Sequence, residues 1–321
     1  MENVVSVILC THNPRPDYLR RTFEALQKQT LPLEKWEFLL IDNASQERIA
    51  NTWDISWHPQ GRHVREEKVG LTFARLRGIE ESEASLLVFV DDDNVLAADF
   101  LERAATVPTR YPFLGAFGAG RLEPEFEIPP SPQLKPWLGL LALRTVPTMT
   151  WTNNVEDFSC TPWGAGLCAT RQVSNAYRQI IERVNATAIL GRRGKFLFSG
   201  EDDVFSWAAV TAGQGFGILP ELQITHLISA GRLSQEYFRR LTCDHALSHG
   251  VLKYLRSGTP PKPIGLPGYI HMLLHGLRNG HFSMRCRWAQ AQGQAAAARF
   301  IQENALRPVI SEFLSQRAPA A

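Results

Sequence analysis

The chain has 321 residues, 44% of them hydrophobic and 21% charged, with a formal net charge of +2. That composition is ordinary for a globular protein and is enough for one large domain with a smaller appendage. No window approaches the roughly eighteen apolar residues of a membrane span. Five cysteines, an odd number without a CxxC pair, argue against a disulfide framework and against a zinc site.

Met1–Cys10 runs straight into an apolar strand, with neither a basic leader nor a small-residue cleavage site. The expectation is therefore a cytoplasmic protein. Charge is unevenly spread. Gly231–Gln290 carries nine Lys/Arg against Glu236 and Asp244, a net +7, while residues 1–230 sum to −6. An acidic body with a basic appendage points to an anionic surface as the appendage's neighbour, with no nucleic-acid partner expected.

In chain order, Val4–Cys10 is a continuous apolar run rich in β-branched residues, as in a strand buried on both faces. Asp17–Gln29 has Leu19, Phe23 and Leu26 at helical spacing behind Pro16. Phe38–Ile41 is a second buried strand, running into Asp42-Asn43. Thr72–Glu83 is helical, Leu86–Val90 is a third strand ending in Asp91-Asp92-Asp93, and Asp99–Thr106 is a short helix. Gly115–Gly120 reads as a strand, and proline-rich Pro124–Pro147 as a long surface excursion. Pro162–Cys168 and Arg171–Arg183 read as strand then helix, and Asp202–Ala212 as a helix ended by Gly213. Phe216–Leu219 and Leu222–His226 are two short extended pieces. Beyond Gly231 the pattern turns helical, with a second helix starting near Tyr269. Strands alternating with helices predict a Rossmann-like, doubly wound α/β sheet.

Three adjacent carboxylates, Asp91, Asp92 and Asp93, repel one another at a strand end, and burial raises the cost of ionising them. A hard divalent cation on oxygen ligands offsets that cost. In open parallel sheets, ligands bind outside the carboxyl ends of the strands. Thr11-His12-Asn13 and Asp42-Asn43-Ala44-Ser45 end the first two strands on the same rim. Short polar side chains there can bind a base and a ribose, and an Asp can accept from a ring N–H. Ser199-Gly200-Glu201-Asp202-Asp203 opens a helix, and either Glu201 or Asp202 is a candidate general base. Gly70 would allow close backbone approach to a ligand, and Arg75 on the following helix could reach a phosphate. His226, at the end of a strand, is a candidate further metal ligand.

In this order, VSVILCTHNPRPDYLRRTFEALQKQT, FLLIDNAS, EKVGLTFARLRGIEES, LLVFVDDDN, PWGAGLCATR, SGEDDVFSWAAVTAG and LPELQITHL resemble the family-2 glycosyltransferases over about residues 4–230. The resemblance implies a GT-A catalytic domain and inverting transfer from a nucleoside-diphosphate sugar, with Mn²⁺ or Mg²⁺ as cofactor. By position, it makes Asp91 and Asp93 the DxD carboxylates and Asp93 the direct metal ligand. Asp42 becomes the nucleobase-binding acid, with Thr11 and Asn13 in the same pocket. Asp202 becomes the catalytic base, and His226 a late metal or diphosphate contact. The chain departs from the family pattern at Asp42-Asn43-Ala44, which often reads as two acids and a glycine, and at Leu76. The Gln-x-x-Arg-Trp of processive synthases is missing, which favours single-sugar transfer.

The expected organisation is a GT-A domain over 1–230, a mixed sheet flanked by helices, and a basic helical region over 231–321. That second region would rest on an anionic membrane, cap the catalytic domain, or form a homodimer contact. The expected acceptor is a glycan or lipid-linked intermediate of cell-envelope or exopolysaccharide assembly. The competing classes are a sugar-phosphate nucleotidyltransferase, which needs a glycine-rich phosphate loop where this chain has THNPRPDY, and a non-catalytic nucleotide-sugar-binding protein.

Overall fold

Val5–Thr11 forms strand β1 with all seven residues buried, as its continuous apolar sequence requires. The computed structural model describes residues 4–184, 199–262, 264–308 and 310. Around β1, Trp36–Asn43 (β2) and Leu86–Asp91 (β4) pair with it in parallel, and Gly61–Glu66 (β3) extends the sheet from β2, also in parallel. Side chains alternate across the sheet. Val5, Val7 and Leu9 share one core cluster with Phe38, Leu40, Val88 and Val90. Helix α1, Pro16–Gln27, contributes Leu19, Phe23 and Leu26 to that cluster and starts with proline, whose missing N–H costs nothing there. On the opposite parity, Ile8 meets helix α2, Leu71–Glu81, at Gly78.

Beyond β4 the sheet turns antiparallel. Asn94–Leu96 (β5) follows the acidic turn, and Phe100–Arg110 is helix α3. Leu114–Phe126 (β6), Arg144–Thr145 (β7), Thr150–Thr152 (β8), Cys168–Thr170 (β9) and Gly215–Ile228 (β10) complete ten strands among the described residues. The order is β3-β2-β1-β4-β9-β6-β10-β5, with β7 on β6 and β8 on β10. Helices α4, Arg171–Val184, and α5, Glu201–Thr211, flank it.

The strands differ from expectation in several places, and of Pro162–Cys168, expected as a strand, only Cys168 enters one, β9. β3 (GRHVRE) buries only Val64, so no apolar run announces this edge strand. The two extended pieces after residue 215 are one strand, β10. Its Pro220 falls between the stretch paired with β8 (Phe216–Ile218) and the stretch paired with β5 (Ile224–His226), where no N–H is needed on that side. The proline-rich excursion is also structured: Pro132–Leu141 is 3₁₀-helical with Leu134 and Leu141 buried, and β7 pairs with β6.

The chain divides into two compact units. One spans Met1–Glu125, Ala142–Glu182 and Glu201–Leu227, and the other Phe126–Leu141, Arg183–Gly200 and Ile228–Ala321. In the second unit, helices α6 (Gln235–Ser257), α7 (Leu266–Asn279) and α8 (His281–Glu303) follow one another. Helix α6 is capped by the Ser234 hydroxyl, which accepts from Tyr237 N, and ends on left-handed Gly258. α6 and α7 both pack on α8. No helix among the described residues is long and apolar enough to cross a membrane.

Candidate active site

Strand register decides which polar residues share the rim. Thr11 lies opposite Asp42, and Cys10 opposite Asp91, so the ends of β1, β2 and β4 open together.

At the β2 end, Asp42 is 4% exposed. Its Oδ1 accepts from Ser45 N at 3.0 Å, and its Oδ2 accepts from Ile49 N at 3.1 Å and Arg65 Nη1 at 2.7 Å. Burial raises its pKa, but these hydrogen bonds more than offset that and hold it below the usual carboxylate range. Asn13 has a left-handed φ of 49°, accepts from Gln46 N at 2.8 Å through its side chain, and donates its own N–H to Ser45 Oγ at 3.0 Å. Asn43 clamps the next loop: its amide donates to Lys68 O at 2.7 Å and its Oδ1 accepts from Gly70 N at 2.8 Å. Gly70 has φ 143°, a conformation side chains resist, at the start of α2.

The acidic turn joins β4 to β5. Thr11 Oγ1 donates to Asp92 Oδ2, and Thr22 of α1 donates to the Asp92 carbonyl at 3.2 Å. Burial and the neighbouring Asp93 push the Asp92 carboxyl up to about 7, against the Thr11 bond. Asp93 Oδ1 accepts from Asn94 Nδ2 at 2.9 Å. Antiparallel pairing sets His226 of β10 opposite Asn94, which brings His226 Nε2 to 3.4 Å from Asp93 Oδ2.

The third group surrounds Arg75. Its side chain is 3% exposed, and Nη1 lies 3.4 Å from Glu201 Oε2 and 3.3 Å from Asp202 Oδ1. Burial lowers its pKa, but the charges of Glu201, Asp202 and Asp91 outweigh that and keep it cationic. Arg75, expected to reach a phosphate, lies buried against the two acids at the start of α5, which need a counter-charge. The two acids differ in exposure. Glu201 is 3% exposed and also accepts from Tyr177 OH at 3.2 Å, while the Asp202 side chain is 26% exposed. Burial is the main reason the Glu201 carboxyl is raised, against Arg75 and Thr72. Arg75 ties the acidic turn to this pair, since it feels Asp91 as well as Glu201 and Asp202.

Several site residues carried no sequence signal. Tyr177 stacks on Phe205 at 3.9 Å. A Cβ on Gly164 would lie 2.4 Å from Arg75 Nη2 and 3.0 Å from Asp202 Oδ1, so the PWGAG segment closes directly on the acid pair. Arg144 of β7 stacks on Trp163 at 3.8 Å and donates to Thr161 O at 2.8 Å. Its Nε and Nη2 have no hydrogen-bond partner among the described residues. Burial lowers its pKa to about 10, and Asp202 is the first charge opposing that. Pro162–Cys168 belonged to the resemblance but read as a strand, and Arg144 sat in what read as a surface excursion.

A parallel half joined to an antiparallel half, with acids at the strand ends, is the GT-A fold. The sequence model of glycosyl transferase family 2 matches residues 6–138. The match covers Thr11, Asp42 and Asp91–Asp93 but stops before Asp202 and His226. Glycosyltransferase AglE of Haloferax volcanii is 31% identical over 105 residues, 32% of this chain. The matched part is about a third of that relative's length, 34%. Mannosyltransferase PcManGT from Pyrobaculum calidifontis, in complex with GDP-Man and Mn²⁺, is 19% identical with a TM-score of 0.53, over 98% of this chain and 79% of that one. S. aureus TarS 1-349 aligns over 99% of this chain and 93% of that one, at 12% identity and a TM-score of 0.44.

Proposed function

We propose that the chain is an inverting glycosyltransferase, moving a sugar from a nucleoside-diphosphate donor to an acceptor hydroxyl. The single observation carrying this reading is the Arg75 cluster. A buried guanidinium holds Asp202 Oδ1 at 3.3 Å while leaving that side chain open to solvent, and it also feels Asp91 on the neighbouring strand end. In the reaction, Asp202 accepts the proton of the acceptor hydroxyl. The acceptor oxygen attacks the anomeric carbon opposite the diphosphate, that carbon–oxygen bond breaks, and the nucleoside diphosphate leaves with the electron pair. Glu201 and Tyr177 serve as positioning groups, since both are buried and bonded to each other.

Thr11, Asn13, Asp42 and Asn43 would shape the nucleoside pocket around the ends of β1 and β2, with Gly70 allowing backbone approach. PcManGT with GDP-Man shows that this fold holds a nucleotide sugar in one such protein. Arg144 has two donor nitrogens, Nε and Nη2, without a partner among the described residues, and its charge, opposed by Asp202, suits a diphosphate or an acidic acceptor.

A divalent cation, Mn²⁺ or Mg²⁺, fits the acidic turn. Among the described residues no three His, Cys, Asp or Glu side chains converge on one point, while Asp93 and His226 stand 3.4 Å apart with Asp91 and Asp92 beside them. A sparse, oxygen-rich set of this kind suits an ion that takes its remaining ligands from water and substrate phosphates. Asp93 and His226 would hold it, with Asp91 drawn in on binding, and when bound it would neutralise charge on the leaving diphosphate. The acceptor is proposed to be a glycan or lipid-linked intermediate of envelope or exopolysaccharide assembly.

The test is transfer and donor hydrolysis across UDP-, GDP-, dTDP- and CMP-sugars with Mn²⁺, Mg²⁺ or chelator, with the product anomer read by NMR. Release of the free nucleotide with an inverted anomer supports the reading. A retained anomer, or nucleotidyl transfer from a sugar phosphate, overturns it.

A further inference from the structure

Helix α7 is inside out. It rests on α8 through Met272 and Gly276, both buried, and a Cβ at Gly276 would come within 2.7 Å of Met284 Cβ. The opposite side should be polar, yet it carries Leu266, Ile270, Leu273, Leu274 and Leu277, which are 73%, 50%, 59%, 61% and 85% exposed. At 3.6 residues per turn these five fall within an arc of about 100°. The exposed stripe is therefore continuous along a helix of 14 residues, unlike the scattered surface leucines that need no explanation. Beside it, Trp288 of α8 is 52% exposed and its ring lies 5.5 Å from that of Tyr269 on α7.

Charge identifies the occupant. Residues 245–302 contain seven Lys/Arg and not one Asp or Glu. Lys262 precedes α7, Arg278 sits in its last turn, and Arg285 and Arg287 open α8; all four are exposed. A second copy of this chain would set like charges against like across a two-fold contact. An anionic bilayer surface meets both features at once, the aliphatic stripe entering the acyl boundary and the cations facing headgroups. The aromatic pair suits the interface, where amphipathic rings concentrate. A 14-residue helix spans about 21 Å, too short to cross the hydrocarbon core.

We infer that α7 is an in-plane membrane anchor that inserts Leu266, Ile270, Leu273, Leu274 and Leu277 into an anionic leaflet. The inference does not depend on the proposed chemistry, because it uses only residues of the second unit.

The experiment is flotation of the full chain with vesicles of phosphatidylcholine alone or of an equimolar phosphatidylcholine–phosphatidylglycerol mixture, at about 0.1 M salt. Wild type is expected on the mixed vesicles, with binding at least about tenfold weaker on phosphatidylcholine and weakened by added salt. The double variant Leu273→Glu, Leu277→Glu should lose at least about tenfold in partitioning with an unchanged circular dichroism spectrum. Should that variant misfold, Arg285→Glu with Arg287→Glu tests the charge half, and loss of the preference for anionic vesicles is expected. Undiminished flotation of the folded leucine variant overturns the inference. So does absence of vesicle binding in a protein that sediments as a dimer and becomes monomeric on Leu277→Glu, which would assign the stripe to a second copy.

Discussion

Arg75 Nη1 sits between two consecutive carboxylates, 3.3 Å from Asp202 Oδ1 and 3.4 Å from Glu201 Oε2. One buried cation therefore serves a solvent-facing acid and a buried acid at once. Removing it would strand the buried one. Arg75→Met is expected to destabilise the fold by about 3–5 kcal/mol, the usual cost of leaving a buried charge unpaired. Urea denaturation of the variant against wild type checks this. Arg75→Lys should recover only part of the loss, because a single ammonium lacks the fork geometry.

The two acids should separate in activity and stability. Asp202→Asn is expected to lower kcat for transfer by about 10²–10⁴-fold while keeping nucleotide-induced thermal shifts. Its partly exposed side chain keeps the stability change near or below about 1 kcal/mol. Glu201→Ala should instead cost about 2–3 kcal/mol in stability, since it leaves Tyr177 OH and Arg75 without their buried acceptor. Steady-state kinetics paired with denaturation curves distinguishes the two patterns.

Arg144 should act on binding. Arg144→Gln removes a cation whose Nε and Nη2 have no hydrogen-bond partner among the described residues. A rise of about tenfold in KM for donor or acceptor is expected, with kcat little changed, as for loss of one charge-assisted hydrogen bond. An unchanged KM for both substrates would remove Arg144 from the site.

The contribution of His58 to stability should rise with pH, against the raised Asp92 carboxyl, whose contribution falls over the same range. Gln60 N donates to His58 Nδ1 at 3.2 Å, which requires that nitrogen to be unprotonated. Burial lowers its pKa from 6.5 to about 4, against the nearby Glu37. Between those values the unfolded chain binds more protons at His58 than the native one, so this contribution increases with pH. The contribution is complete above the unfolded value and is lost as pH falls towards about 4. The expected span of this contribution is about 3 kcal/mol, read as the difference in urea midpoints between wild type and His58→Gln from acid to neutral pH.

How much was legible in the sequence follows from which signals are local. β1, β2 and β4 announce themselves because burial on both faces demands unbroken apolar runs. α1 and α4 show clear helical spacing for the opposite reason, each having one wet face. β3 gave no such signal, being a polar edge with one buried valine. The acids at strand ends were visible as motifs, but their division of labour was not. That Asp42 is occupied by Ser45, Ile49 and Arg65, that Asn43 clamps a loop, and that Arg75 turns inward are facts of three-dimensional register. Arg144 was hidden because it lies within the proline-rich stretch and its partner Trp163 is nineteen positions away. The basic character of the last third was plain from composition. The apolar stripe on α7 was not, since an apolar helical face ordinarily points inward.

Product formation from a nucleoside-diphosphate sugar by wild type and Asp202→Asn, with and without Mn²⁺ or Mg²⁺, tests the central claim most directly. Wild type is expected to release nucleotide and form an inverted glycoside only with metal, and the folded, nucleotide-binding variant to do neither at a measurable rate. Equal turnover by the variant would contradict the assignment of the acid beside Arg75 as the base, and with it this account of the site.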